Sequence, residues 1–308
     1  MIQLSIIIPF YNSSTFLKET LESVKLNLTE NIELLIIDDG SSDNSLEIIN
    51  GVFEDEFYNV KILSRPNNKP KGANACRNYG IENAVGNYLM FIDSDDIISE
   101  TCLSDRIHYI NNLTTQHNLY VFQTAFISNQ KKITGFFPKN IMVTNDQMLI
   151  SFLKHEILWH TMSVIWNKAF LIDIGKWNEE YPRLQDVELN IRALLKNANV
   201  HITQNQDVDS YYRSIKMSDN KKETARYGFI MIIRDYYTLL INKFFNSNEN
   251  RDLIIEIFQN QLTTTLGSYL QSKKKDLEWC KLYLETLSIC EMESDEIEDI
   301  KIFLERNS

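Results

Sequence analysis

The sequence predicts an α/β fold in which a mostly parallel, Rossmann-like central sheet is flanked by helices, with an all-helical C-terminal extension. Three observations predict it. Apolar runs without alternation, Leu4–Phe10, Ile32–Asp38 and Tyr88–Ile92, recur with helical stretches between them, as strands buried on both faces do. Only 9 Gly and 5 Pro occur in 308 residues, which leaves few turns and argues against a many-stranded sandwich or barrel. From about residue 222 onward the apolar residues recur at helical spacing to the end.

Taken in order, Leu4–Phe10 is the first strand. Phe16, Leu17, Leu21 and Val24 then repeat at helical spacing behind Asn12, Ser13 and Ser14, which can cap a helix. Ile32–Asp38 is the second strand, and Asp39-Gly-Ser-Ser-Asp43 is a turn into a helix carrying Leu46, Ile49 and Val52. Val60–Ser64 is a short third strand. The segment Arg65–Gly72, with two prolines and two asparagines, is a loop. Residues 74–85 read as a helix, and Tyr88–Ile92 as a strand that ends at Asp93-Ser-Asp-Asp96. Further on, Leu119–Ile127, Thr161–Trp166 and Asp207–Tyr212 read as strands and Asp186–Leu195 as a helix. Three apolar stripes follow: Tyr227, Ile230, Ile233, Tyr237, Leu240 and Phe244; Ile254, Ile257, Phe258, Leu262 and Tyr269; and Leu277, Cys280, Leu284 and Leu287. The pattern places a domain boundary near 216, between residues 1–215 and 216–308.

Composition narrows the function classes. A net charge of −11 excludes nonspecific nucleic-acid binding. The charge is uneven: residues 276–308 carry net −7, residues 213–275 net +5. The opening apolar run is too short for a signal peptide core or a membrane span. The four cysteines lack metal-site or disulfide spacing, so reduced thiols in the cytoplasm are expected. His155-Glu-Ile-Leu-Trp-His160 imitates a zinc motif, but its histidines are five apart rather than four, which on a helix turns them away from each other. Neither G-x-G-x-x-G after the first strand nor a P-loop is present, so a dinucleotide cofactor is unsupported.

The chemistry concentrates at strand ends, where doubly wound sheets bind ligands. Asp38, Asp39, Asp93, Asp95 and Asp96 fall there. Carboxylates this dense need a cation or hydrogen-bond donors to compensate them, and a D-x-D offers oxygen ligands to a hard divalent ion. The segments Ser5-Ile-Ile-Ile-Pro9-Phe-Tyr-Asn12, Glu33-Leu-Leu-Ile-Ile-Asp-Asp-Gly-Ser-Ser-Asp43, Cys76-Arg-Asn-Tyr-Gly80 and Gly86-Asn-Tyr-Leu-Met-Phe-Ile-Asp-Ser-Asp-Asp96 occur in the order and spacing of family 2 glycosyltransferases. The sequence resembles that family strongly over residues 1–100 and more weakly to about 213.

The resemblance implies a GT-A fold, a nucleotide-binding half over 1–100 and an acceptor half over 101–215. It implies an inverting enzyme of bacterial polysaccharide biosynthesis that uses a nucleotide-diphosphate sugar, a UDP-sugar above others, with Mn²⁺ or Mg²⁺. Pro9, Tyr11 and Asn12 match the turn that lines the nucleotide, and Asp39 the residue that pairs with the base. Lys71 and Arg77 match the basic helix start near base and diphosphate. Asp93 would face the ribose or metal, and Asp95 would bind the metal that bridges the phosphates. The general base should open a later helix, where Leu184-Gln185-Asp186-Val187-Glu188 places Asp186, with Glu188 in reserve. Gln185 replaces the family's first acid. Two weaker matches put Trp166 near the acceptor and Arg213 near the diphosphate, and His160, from the false zinc motif, falls near the acceptor end.

The implied acceptor is a glycan or a lipid-linked glycan. The basic segment with Tyr227–Phe245 suits a peripheral contact with the inner face of the membrane, or a homodimer through the C-terminal helices. Two other readings are weighed against this one. A haloacid-dehalogenase-type phosphatase also carries a D-x-D, but at its first strand rather than its fourth. A catalytically dead scaffold would not need Asp39, Asp95 and Asp186.

Overall fold

A computed structural model describes residues 3–54, 59–128, 133–137, 144–203, 207–213, 219–270 and 277–290. In chain order the elements are β1 (Leu4–Phe10), α1 (Leu17–Lys25), β2 (Ile32–Asp38), α2 (Ser45–Val52), β3 (Val60–Ser64), α3 (Ala73–Asn83), β4 (Tyr88–Phe91), β5 (Ile97–Ile98) and α4 (Cys102–Asn111). Then come β6 (Leu119–Val121), β7 (Thr124–Ile127), β8 (Ile133–Phe137), α5 (Asn145–Leu153), β9 (Val164–Asn167), α6 (Lys168–Asp173), α7 (Gln185–Leu195), β10 (Val200–Ile202), β11 (Ser210–Arg213), α8 (Asp219–Lys243), α9 (Asn248–Leu270) and α10 (Leu277–Ile289).

By contacts the chain forms two units. The first comprises residues 1–152, 156–179 and 189–216; the second comprises 153–155, 180–188 and 217–308. Within the first, a seven-stranded sheet runs in the order β10-β6-β9-β4-β1-β2-β3. All its pairs are parallel except those of β9, which is antiparallel to β4 and to β6. Every residue of β1 and β2 is buried, which is why those strands read as unbroken apolar runs. Leu4, Ile6, Ile8, Leu34, Ile36, Met90 and Ile165 meet in one core. Helix α3 lies against it so closely that a Cβ on Gly80 would fall 2.5 Å from the Ile7 side chain. A second sheet, β5-β11-β7-β8, completes the unit.

The expected strand Leu119–Ile127 is two strands in two different sheets. The chain crosses between them at Phe122-Gln123, and buried polar side chains fix the crossing. The Thr124 hydroxyl lies 2.8 Å from the hydroxyls of both Ser163 and Ser210, and the Phe122 N–H donates to the Ser163 carbonyl at 2.8 Å. The expected strand Thr161–Trp166 opens instead with a 3₁₀ turn, Thr161–Ser163, closed by reciprocal bonds between His160 and Ser163. The strand expected over Asp207–Tyr212 starts at Ser210, because Asp209 turns its carboxylate onto Arg106.

In the second unit α8 packs on α9 and on α10. The first two stripes are as expected where described, with Ile230, Ile233, Leu240 and Phe244, and Ile254, Ile257, Phe258 and Leu262, all buried; Tyr269 is outside the described side chains. In α10 the buried face runs instead through Trp279, Leu282, Tyr283, Thr286 and Leu287, with Cys280. The four cysteines are free and buried. Among the described residues no helix is long and apolar enough to cross a membrane.

Candidate active site

Parallel register brings the ends of β1, β2 and β3 to one edge: Phe10 pairs with Asp38, and Asp38 with Ser64. β4 ends beside β1 at the pair Ile7–Phe91, three residues short of Phe10 and two before Asp93. The residues that follow these strands therefore share an edge, the place where such sheets bind ligands.

The loops on this edge are stapled to one another. Asn12 takes a left-handed backbone, φ 48°, which asparagine tolerates. Its side-chain oxygen accepts from the Ser42 N–H at 2.8 Å and the Asp43 N–H at 3.3 Å. Asp43 accepts from Ser45 and Ser14, and those bonds pull its carboxyl down to about 2. Tyr11 is 46% exposed, and the Lys71 ammonium sits 3.7 Å from its ring centroid, a cation–π contact.

Asp39 is buried and doubly held. Arg65 Nε donates to one carboxylate oxygen, and the Gly72 N–H donates to the other at 3.0 Å. Gly72 has φ 136°, a conformation that side chains rarely adopt. Arg65 also donates to the carbonyls of Pro66 (3.0 Å) and Lys69 (2.6 Å), so one guanidinium ties the loop to Asp39. Sequence reasoning missed Arg65. Its signal was its place, one residue past β3 on the edge that carries Asp39.

Arg77 Nη2 meets Asp93 at 2.6 Å. The guanidinium is also held by Asn74 Oδ1 at 3.1 Å and stacks 4.4 Å above the Trp177 ring. It is only 4% exposed, so Arg77 reaches the site through Asp93 rather than as an open cation. The following loop is gripped from two sides. The Ser13 and Ser94 hydroxyls lie 2.8 Å apart, and the Thr20 hydroxyl donates to the Ser94 carbonyl at 3.1 Å. Arg213 donates from Nε to the Asp95 carbonyl and from its backbone N–H to Asp96, both at 3.0 Å.

Asp93 and Asp95 are half-buried, while Asp96 is fully buried. Burial first, and then the charges of Asp93 and Asp95, hold the Asp96 carboxyl well above the usual carboxylate range. Its Oδ2 is buried without a hydrogen-bond partner. Among the described residues, no three His, Cys, Asp or Glu side chains converge on one metal position. The oxygen donors present fit a hard divalent ion that takes most of its ligands from substrate phosphates and water.

The description "Glycosyl transferase family 2" matches residues 5–171, more than half of the chain. The chain belongs to glycosyl transferase family 2. It is 29% identical over 232 residues to the Escherichia coli UDP-Glc:alpha-D-GlcNAc-diphosphoundecaprenol beta-1,3-glucosyltransferase WfaP, covering 74% of this chain and 84% of that one. It is 38% identical over 138 residues to an uncharacterized glycosyltransferase of Haemophilus influenzae, covering 42% of this chain and 54% of that one. The chain thus spans about half the length of the Haemophilus relative. A crystal structure of S. aureus TarS 1-349 in complex with UDP-GlcNAc shares the fold, with a TM-score of 0.67, 19% identity, and coverage of 92% of this chain and 81% of that one. Together these likenesses show the GT-A fold and membership of family 2.

The family match ends before Asp186, which opens α7 in the second unit. Its approach is tightly built. Leu184 holds a left-handed φ of 57°, uncommon and costly for a leucine. A Cβ on Gly228 would lie 2.8 Å from the Arg183 carbonyl oxygen, so only glycine lets α8 pass the Arg183 backbone. Asp186 is half-buried and accepts from the Val187 N–H at 3.0 Å. The reserve candidate, Glu188, is 1% exposed and accepts from the Tyr236 hydroxyl at 2.5 Å. That removes it from any exposed acceptor.

Four other expected site residues sit in packed surroundings. Pro9 is buried inside β1, opposite Ile37, and contributes to the strand rather than to a ligand surface. Trp166 is 3% exposed in β9, paired with Leu89 and Leu119, and is a core side chain. Arg213 is 3% exposed and spends its charge on Glu19 at 2.6 Å while stacking on Phe16 at 4.4 Å; it positions the acidic loop. His160 stacks 4.0 Å from Tyr212 and closes the 3₁₀ turn. His155 lies outside any helix, with φ 61°, so the apparent zinc motif has no helix to act on.

Proposed function

We propose that the chain is an inverting glycosyltransferase of bacterial polysaccharide biosynthesis. It transfers a hexosyl or N-acetylhexosaminyl group from a UDP-sugar to a hydroxyl of a glycan or lipid-linked acceptor. The observation that carries this reading is the stapled acidic edge, where Asp39, Asp93 and Asp95 are held on two strand-end loops, after β2 and β4, by Arg65, Arg77 and Arg213. That is a preorganised seat for a nucleotide diphosphate, built before any ligand arrives. Among relatives, WfaP is by name a UDP-glucose enzyme, and TarS binds UDP-GlcNAc.

In this reading Asp39 accepts from a pyrimidine N–H. Two of its lone-pair sites serve Arg65 and Gly72, and a carboxylate has about four. Tyr11 offers its exposed ring to the base, with Lys71 beside it facing the phosphates. Asp93 and Asp95 would hold Mn²⁺ or Mg²⁺, whose chemistry is to neutralise charge on the departing diphosphate. Asp186 takes the proton of the acceptor hydroxyl as that oxygen attacks C1; the bond from C1 to the diphosphate breaks, and one displacement inverts the centre. Residues 1–215 then form the catalytic domain and 216–308 a helical region for acceptor, membrane or partner contact on the cytoplasmic side.

The test is a panel of nucleotide sugars assayed for donor hydrolysis and thermal stabilisation, with and without Mn²⁺. A UDP-sugar that stabilises the chain and is hydrolysed supports the reading. Release of phosphate from generic esters without any nucleotide-sugar effect would favour the phosphatase instead.

A further inference from the structure

The second unit contains a groove of about 300 Å³ that the donor chemistry does not use. Its walls are two helices. Arg226 and Phe229 stand three apart on α8, and Asn260 and Thr264 stand four apart on α9, with Thr265 next to Thr264. His155 closes the end, with its ring centroid 3.5 Å from that of Phe229. Gln261, also in the lining, donates to the Leu153 carbonyl at 2.5 Å and so ties α9 to the chain just before His155.

The lining has a one-sided chemistry. Arg226 is half-buried and makes no hydrogen bond, ion pair or ring contact with any described residue. Thr265 is 6% exposed, and its hydroxyl likewise has no partner. Among the described residues, no carboxylate lines the groove. Burial pushes His155 down to about 4, so it stays neutral, and Arg226 is the charged member of the lining among the described residues. A half-buried arginine without a counter-ion is costly. A guanidinium fork presents five donors suited to carboxylate or phosphate. Here an amide and two hydroxyls add more donors than two carboxylate oxygens can use, whereas a phosphate offers three or four acceptor oxygens. Phe229 and the neutral His155 give the groove an apolar floor that strengthens such bonds.

We infer that the groove between α8 and α9 binds a phosphoryl group through Arg226, Asn260, Thr264 and Thr265. The phosphoryl group is a monoester, with three free oxygens, carried either by a soluble molecule or by a lipid headgroup. This site is separate in residues from the acidic edge and stands whether or not that edge binds a UDP-sugar.

The test uses the full chain. Inorganic phosphate and glycerol 3-phosphate are titrated by calorimetry, and vesicles of phosphatidylcholine with phosphatidic acid are assayed by co-sedimentation against phosphatidylcholine alone. Wild type should bind in at least one arm. Arg226→Gln should weaken that binding tenfold or more, and Thr265→Val, which keeps the shape, severalfold. Both should leave thermal unfolding and UDP affinity unchanged, which separates this site from the donor site. A loss confined to the vesicles assigns a lipid headgroup, and a loss with the soluble esters assigns a soluble phosphate. Absence of wild-type binding in both arms, or equal binding by wild type and Arg226→Gln, overturns the inference.

Discussion

The two units hold their acidic groups by different means. In the first, arginines reach across long stretches of sequence: Arg65 to Asp39, Arg77 to Asp93, Arg106 to Asp209 and Arg213 to Glu19. In the second, tyrosine hydroxyls carry much of this work: Tyr181 donates to Asp235 at 2.7 Å, beside the adjacent Arg234, and Tyr236 donates to Glu188 at 2.5 Å. An arginine fork fixes both the charge and the direction of a carboxylate, which suits a rigid seat for a charged ligand. A hydroxyl fixes position with a single bond and brings no countercharge. The difference frames a division of labour to test: a preorganised edge in one unit and, in the other, the proposed base Asp186, which accepts from its neighbour Val187.

The largest expected effect tests that division directly. Asp186→Asn keeps the shape and an accepting oxygen but cannot take a proton. Transfer should fall by about 10²–10⁴-fold, while UDP affinity and unfolding stay near wild type. If transfer persists within a few-fold, Asp186 is a helix-start residue and the division fails. Glu188 then offers no rescue, because it is buried against Tyr236.

Next is the strongest clamp. Arg106 is fully buried, and its Nε and Nη2 meet the two oxygens of Asp209 at 2.8 and 2.5 Å. Arg106→Met leaves that carboxylate, 14% exposed, without its partner. We expect a loss of about 3–5 kcal/mol in chemical denaturation. Adding Asp209→Leu should recover much of it, because the cost lies in the orphaned charge. A small loss for the single variant would mean that the clamps are incidental.

Much of the first unit was legible because strands buried on both faces leave unbroken apolar runs, as in Leu4–Phe10 and Ile32–Asp38. The acidic edge was legible because its motifs are local. The clamps were not: Arg106 and Asp209 are 103 residues apart, and no local spacing links them. The split between β6 and β7 was invisible because Phe122-Gln123 is neither a turn nor a break in composition. What separates the sheets there is a buried hydroxyl cluster drawn from three distant segments. The surroundings of Trp166 and Arg213 were hidden for a related reason: a motif gives residue type, and burial decides what the residue can touch.

A third effect concerns Asp39 alone. Asp39→Asn replaces an accepting oxygen with a donor, facing Arg65 or Gly72 on one side and the proposed base on the other. UDP affinity should weaken by about 1.5–3 kcal/mol, the worth of a charge-assisted hydrogen bond. Unchanged affinity in calorimetry would remove Asp39 from the nucleotide site and leave it as a loop staple.

Glu33 offers a contrast within the first unit, since most of its holders are neutral donors. It accepts from the Ser5 hydroxyl and the Val85 N–H, each at 2.5 Å, and from Lys61 at 3.2 Å. Burial raises its carboxyl, but these donors outweigh burial and leave it below its ordinary value of 4.5. A depressed folded value means that the stability Glu33 contributes is fully present above about pH 4.5 and is lost as pH falls through the folded value. Glu33→Gln should therefore cost about 1.5–3 kcal/mol at pH 7, with the gap from wild type closing below pH 4. A gap independent of pH would show that shape, not charge, is what Glu33 supplies.

The smallest effect concerns a tyrosine hydroxyl. Tyr236 is 8% exposed, and Glu188 stands two residues after Asp186 in the first turn of α7. Tyr236→Phe removes the hydroxyl without leaving a cavity, so the change isolates one hydrogen bond. Its loss should lower stability by about 1 kcal/mol, well below the Arg106 effect. The informative readout is kinetic. If the bond also steadies the first turn of α7, transfer should fall severalfold at unchanged UDP affinity, because a base displaced by a fraction of an ångström aligns less often with the acceptor hydroxyl. If stability drops and transfer does not, the hydroxyl serves packing alone, and Asp186 is positioned by the left-handed Leu184 and the Gly228 contact instead. A Gly228→Ala variant would then carry the larger kinetic loss.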